Sequence, residues 1–362
     1  MSNLDDQFSA AKNVVRGGID TPTPLFPGAV LTVATAEDTY RYATGSAVRY
    51  RSLGVELPPA ERVSMTGSTI FDMASISKLF TTIVVMQQVE RGTVELDQPV
   101  VEHLDEFDTD TKRMITVADL LTHVSGLPWW LPLWSDHPDP AARLQAALVA
   151  EPDTRPGSAY CYSDINLITV GELVHRVSGE PLDQLVAEGI TGPLDLTDTG
   201  YNPDAAVLDR VAATEDEADA GRGMVRGQVH DENAWSLGGV AGHAGIFSTA
   251  ADLTRLARCL LAGGELDGAR VLGEDSLAAM VQNRTADYGH DHGLGFEVNQ
   301  PSFMGGLAGP RTIGHTGFTG TSMVIDLDAG LIAILLTNRV HPTRHGPSIN
   351  PVRAGVGDAL ID

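Results

Sequence analysis

The sequence predicts a mixed architecture: an antiparallel sheet built from both ends of the chain and flanked by helices, with a mainly helical domain inserted between its halves. Three observations lead there. A β-rich apolar run at Ala29–Thr35 is followed by the turn Ala36-Glu37-Asp38 and by alternating Tyr40 and Tyr42, the signature of a hairpin. The centre of the chain then repeats apolar residues with helical spacing. From Gly293 onward the pattern returns to strands. Strands, many helices, strands and a last helix make an α/β sheet domain from residues 1–90 and 236–362 and an inserted all-α domain from residues 91–235.

Each element has its own local reason. Leu4, Phe8, Ala11 and Val15 share one side of a short amphipathic N-terminal helix. Leu79, Phe80, Ile83, Val84, Met86 and Val89 predict a buried helix that ends near Arg91-Gly92. Thr116 with Asp119 forms a capping box ahead of Leu120 and Leu121. Helices are expected near residues 140–150, 165–177, 181–189, 250–262 and 274–282, with Thr249 and Asp252 capping the fourth and Gly263-Gly264 closing it. Strands are expected at 294–298, 311–315, 322–327 and 331–338, the last three as a meander. Asn350-Pro351 opens the terminal helix, with Asn350 as its cap and Pro351 at the first helical position.

Bulk composition narrows the function. With 362 residues and 43% hydrophobic content the chain can bury a sizeable core. A net charge of -24 reverses the attraction that nucleic acid and anionic membranes require, so neither is an expected partner. The start, Met1-Ser2-Asn3-Leu4-Asp5-Asp6, is acidic and polar, and the apolar run Leu331–Leu336 is far below the roughly 20 residues of a membrane span. The expectation is a cytoplasmic protein. Cys161 and Cys259 are too few for a disulfide framework or a four-cysteine zinc site.

The chemistry centres on Ser75-Ile76-Ser77-Lys78. Three residues along a helix bring a hydroxyl and an amine to one face, so Lys78 can activate Ser75. The spacing alone is weak. Ser9-Ala10-Ala11-Lys12 has it too, in the N-terminal helix before any strand that could frame a pocket.

Two further motifs complete the set: Tyr162-Ser163-Asp164 at the start of a predicted helix, and His315-Thr316-Gly317 on a C-terminal strand. With them the chain resembles the serine β-lactamase and penicillin-binding-protein superfamily, in the branch of class C β-lactamases, D-alanyl-D-alanine carboxypeptidases, D-aminopeptidases and esterases. The resemblance spans about residues 25–340 and includes Gly92–Asp97, Ile115–Pro128, Gly192-Pro193-Leu194, Gly245–Leu253 and Gly314–Gly320. It implies a β-lactamase/transpeptidase-like fold and acyl transfer in two steps: Ser75 is acylated, Lys78 and Tyr162 move the proton, and water or another acceptor releases the acyl group. It further implies an oxyanion hole from the N–H groups of Ser75 and Phe318, substrate binding by His315, Thr316 and Gly317, and no metal or cofactor.

Two residues depart from the usual pattern. Many relatives carry asparagine at the place of Asp164, and a carboxylate cannot donate to a substrate carbonyl. Beside Lys78 an ionised Asp164 would hold the ammonium form and leave Tyr162 as the proton acceptor; its plain alternative is a helix cap. Several relatives carry lysine where His315 stands, and an unperturbed imidazole would let carboxylate recognition fade between about pH 6 and 8.

His230, Asp231 and His243, in segments that lie near the acyl pocket of look-alikes, are candidate substrate selectors. No zinc-hydrolase spacing surrounds them or His290-Asp291-His292. Trp129, Trp130 and Trp134 crowd one loop and fit a pocket wall. The expectation is a serine hydrolase acting on a small-molecule ester or amide. A D-amino-acid peptidase or carboxypeptidase, a β-lactamase, an acyltransferase and a catalytically silent module of the same fold stand as alternatives.

Overall fold

The computed structural model describes residues 2–361. Its main sheet has seven strands and draws on both chain ends. The hairpin Gly28–Ala34 and Thr39–Val48 lies beside the meander Thr312–Thr316, Thr321–Asp326 and Leu331–Thr337. The N- and C-terminal parts join where Gly28–Ala34 pairs antiparallel with Leu331–Thr337, Val30 opposite Leu336. Both of these strands are buried at every position, because helices cover both faces of the sheet. The edge strand Glu297–Val298 pairs with Ile313 and Gly314. It is shorter than the sequence pattern suggests.

Helix Ser77–Glu90 is buried from Ser77 to Gln88, as a helix apolar on all sides must be. The predicted caps at Thr116 and Thr249 form, each accepting from the backbone three residues on. Tyr162 lies just ahead of helix Asp164–Ser178, whose cap is Ser163. The amphipathic helix Ser2–Ile19 buries Ala11 and Val15, and Lys12 lies over the Tyr42 ring at 5.3 Å. The second S-x-x-K is therefore a surface feature, remote in function from the first.

The terminal helix runs Asn350–Asp358, but Asn350 does not cap it: Ile349 holds the cap position, and Asn350 Oδ1 accepts from Arg353 at 2.8 Å. This helix packs so closely on Pro301–Met304 that a Cβ on Gly357 would lie 1.8 Å from the Met304 carbonyl oxygen. Replacing Gly357 by Ala forces the two apart. Urea denaturation of Gly357→Ala is expected to show a loss of about 1–3 kcal/mol, the range of overpacked cores.

Candidate active site

Ser75 sits in a single 3-10 turn, Ala74–Ile76, feeding directly into helix Ser77–Glu90. The approach is strained: Ala74 has φ 46°, a left-handed conformation that a Cβ disfavours. Asp72 stabilises it. Its buried carboxylate accepts from Ala74 N at 2.8 Å and from His230 N at 2.6 Å. The Asp72 and Met73 carbonyls in turn accept from the hydroxyls of Thr319 and Thr321, at 2.7 and 3.1 Å. A Cβ on Gly317 would lie 2.4 Å from the Met73 carbonyl oxygen, so only glycine fits there. Buried Arg353 closes the turn by donating to the carbonyls of Gly317 and Thr321 at 2.9 and 2.8 Å. Asp72, Thr319, Thr321 and Arg353 carry no motif of their own, although Asp72 lies three residues before Ser75 and Thr319 two after Gly317.

Lys78 is 1% exposed, and its ammonium has three polar neighbours. It donates to Ser75 Oγ at 2.9 Å and to the His243 carbonyl at 3.2 Å, and pairs with Asp164 Oδ1 at 2.8 Å. Its nitrogen also lies 4.8 Å from the centre of the Tyr162 ring. Burial alone would lower the lysine pKa; the Asp164 charge and Tyr162 overcome it and raise it. Tyr162 is raised too, first by burial and then by Asp164, against the pull of Lys78. Asp164 is thus no cap, since Ser163 accepts from Asn166 N in that role at 3.2 Å. Its carboxylate holds both partners of Ser75 in their protonated forms.

Two cavities open on Ser75. One, of about 620 Å³, is walled by Trp129, Trp130 and Trp134 and floored by Asp164, Asp231 and His243. His243 Nε2 meets Asp231 Oδ1 at 2.8 Å; burial works against the Asp231 charge, but His243 holds it well below the usual carboxylate range. His230 also lines this cavity, with Nε2 on Glu215 Oε2 at 2.8 Å and its ring stacked on Phe318. Asp164, Asp231 and His243 bring one ligand atom each within 4.8 Å, and Lys78 already pairs with Asp164 Oδ1 there. His290 and His292 belong to neither this trio nor the Glu215, Glu217 and His230 group.

The other cavity, of about 410 Å³, is the more polar of the two, with His315, Thr316 and Gly317 on one wall and Glu297, Arg339, Asn350 and Arg353 around it. Phe318 and Ser75 line both. Among the described residues neither the Ser75 nor the Phe318 backbone N–H donates to another group of the chain, leaving both free for an oxyanion. His315 donates Nδ1–H to the Thr316 carbonyl at 2.7 Å, and burial, aided by Lys78, pushes its pKa down to about 3. This corrects the expected pH window: His315 is neutral throughout pH 6–8 and cannot lose a cationic clamp there.

A family model described as Beta-lactamase matches residues 23–358. The chain belongs to the Beta-lactamase family. Among its curated relatives, a protein of Escherichia coli (strain K12) named as a D-alanyl-D-alanine carboxypeptidase is 32% identical over 360 residues, covering 89% of this chain and 80% of the relative. A Salmonella typhimurium protein of the same name is 30% identical over 81% of this chain and 74% of its own. Two solved structures are similar in fold. EstCE1, a hydrolase with promiscuous acyltransferase activity, gives a TM-score of 0.76 at 22% identity, with 100% of both chains covered. A penicillin-binding protein homologue from Caulobacter crescentus gives 0.74 at 23% identity, covering 98% of this chain and 97% of that one. Among the described residues no helix is long and apolar enough to cross a membrane.

Glu297 lines the smaller cavity, though no motif announces it. Burial pushes its carboxyl up to about 7, against the pull of Arg353 and Lys78. A carboxyl raised on folding binds more protons in the folded state, so the stability it contributes is full below its ordinary 4.5 and is lost as pH rises through about 7. Glu297→Gln cannot ionise. Chemical denaturation should therefore show the variant gaining stability relative to wild type as the buffer goes from about pH 5 to about pH 8.

Proposed function

We propose that this family member is a serine hydrolase of esters or small amides, with Ser75 of the S-x-x-K motif as nucleophile and Lys78 and Tyr162 as its proton-transfer pair. The observation that carries this is the buried Lys78 ammonium donating to Ser75 Oγ at 2.9 Å between two open cavities. Ser75 Oγ attacks the carbonyl carbon and passes its proton into the Lys78–Tyr162 network. The carbonyl electrons move onto an oxygen held by the N–H groups of Ser75 and Phe318, a contact worth roughly 2.7–4 kcal/mol per donor. Collapse expels the alcohol or amine, which takes the proton, and water repeats the sequence on the acyl-enzyme. No step needs a metal or cofactor.

A second acceptor is the alternative that the polar cavity favours. It gives an alcohol or amine a place from which to replace water, and EstCE1 is a similar fold named for promiscuous acyl transfer. The name of the curated relatives points to the same acyl chemistry on a D-peptide; a carboxylate-bearing leaving group would meet Arg339 and Arg353 in that cavity instead of a charged His315.

Intact-mass spectrometry after exposure to p-nitrophenyl acetate and to a fluorophosphonate tests the nucleophile. One adduct is expected, absent in Ser75→Ala, with nitrophenol release; folded protein that forms no Ser75-dependent adduct with either reagent would sink the proposal.

The resting network must lose one proton before it can accept that of Ser75, and Asp164 opposes the loss from Lys78 and from Tyr162 alike. In Asp164→Asn the acid limb of the kcat/KM profile should therefore move to lower pH, by about one unit or more. An unmoved limb would remove Asp164 from this role.

A further inference from the structure

His123 belongs to Ile115–Pro128, a segment whose side chains the mechanism has so far not used. Its backbone has φ 60°, outside the conformations a residue with a Cβ prefers, and its side chain is 1% exposed. Such strain persists only where the surroundings over-determine it. Here the surroundings are the two residues that flank Tyr162. The His123 carbonyl accepts from Cys161 N at 2.8 Å, and its Nδ1 accepts from Ser163 N at 3.1 Å. The ring lies against Tyr162, centroids 4.7 Å apart.

The imidazole is suited to accept. Burial, with His292 and Lys78 nearby, holds its pKa well below the ordinary value, so Nδ1 keeps its lone pair. Asn166 fixes the ring from the other side: its side-chain nitrogen lies 3.3 Å from Nδ1, and its oxygen accepts from Ser125 Oγ at 2.6 Å. His292 packs edge-on at 5.1 Å. A histidine in a strained turn thus grips the chain before and after Tyr162 and covers the face of its ring.

We propose that His123 is a positioning residue for the reaction: it acts through Tyr162, fixing the phenol against Lys78 and Ser75, and touches no substrate. The inference rests on the acyl-Ser75 reading. Only with both anchors in place does the phenol stay where a proton from Ser75 can reach it, and displacements of the order of 1 Å cost about 100-fold in rate.

A double-mutant cycle separates this from a general structural role. The rate of Ser75 labelling by a fluorophosphonate is measured for wild type, His123→Phe, Tyr162→Phe and the double variant, each checked for folding by circular dichroism. His123→Phe keeps a ring over Tyr162 but has no acceptor nitrogen. It should slow labelling about 10–100-fold in the wild-type background and less than about twofold in Tyr162→Phe. His123→Asn tolerates the left-handed backbone and retains an acceptor oxygen, so it should restore much of the rate; it also serves as the test should His123→Phe not fold. Equal losses in both backgrounds, or no loss in either His123 variant, would overturn the inference. Loss of Ser75-dependent labelling by wild type would instead overturn the hydrolase reading itself.

Discussion

An ammonium buried at 1% exposure is the constraint on which the rest of this structure depends. Taking Lys78 out of water costs several kcal/mol unless its charge is paired and its N–H groups are met. The fold meets them with three groups far apart in sequence: Ser75 Oγ, the His243 carbonyl and the Asp164 carboxylate. These come from the turn before the nucleophile helix, the loop ahead of Ile246–Ser248 and the first turn of helix Asp164–Ser178. Removing any one leaves a donor or a charge stranded in the interior. Two hydrogen bonds and one ion pair on the lysine therefore tie these segments together, and the Asp164 charge with Tyr162 keeps it protonated at rest.

A second set of contacts fixes the nucleophile from the opposite side. Ala74 would relax from its left-handed conformation were Asp72 not accepting its N–H, and Asp72 is itself held by His230 N. Thr319 and Thr321 join the same two carbonyls to the turn after the His315 strand. That turn carries Phe318, so the Ser75 and Phe318 amides proposed for the oxyanion ride on segments braced against each other. Preorganised donors of this kind need no rearrangement when charge develops. The tight approach also explains Gly317, where a side chain would strike the Met73 carbonyl.

Local signals were legible in the sequence wherever the chain's own neighbours decide the outcome. The periodicity from Leu79 to Val89, the caps at Thr116 and Thr249 and the terminal meander depend on residues a few positions apart, and all form. The S-x-x-K pair was legible for the same reason. What burial decides was not. His315 carries the imidazole the sequence shows, but its pKa follows from a strand buried beside Lys78, which no motif reveals. Asp164 has the composition of a cap, yet Ser163 takes that place and frees its carboxylate to turn toward the lysine. Asn350 likewise yields the cap position to Ile349, and its side chain accepts from Arg353 instead. Asp72, His123 and Glu297 bear on the site only through contacts that cross many residues, and no spacing rule could point to them.

The two cavities give the site a polarity that its catalytic core alone does not have. Tryptophans wall the larger one, and its floor groups are paired, Asp164 with Lys78 and Asp231 with His243, surroundings that suit an apolar acyl group. The smaller one holds two guanidiniums and a carboxyl poised between its forms, surroundings for a polar leaving group or acceptor. Ser75 stands where they meet. In the proposed reaction a substrate laid across both would present its carbonyl carbon to the hydroxyl and its oxygen to the N–H groups of Ser75 and Phe318, with the departing atom on the more polar side. Once that group leaves, the attacking molecule must enter from the same side. On that reading, a lining that favours a polar leaving group would also select what takes the acyl group away, with water and a second acceptor competing for one space.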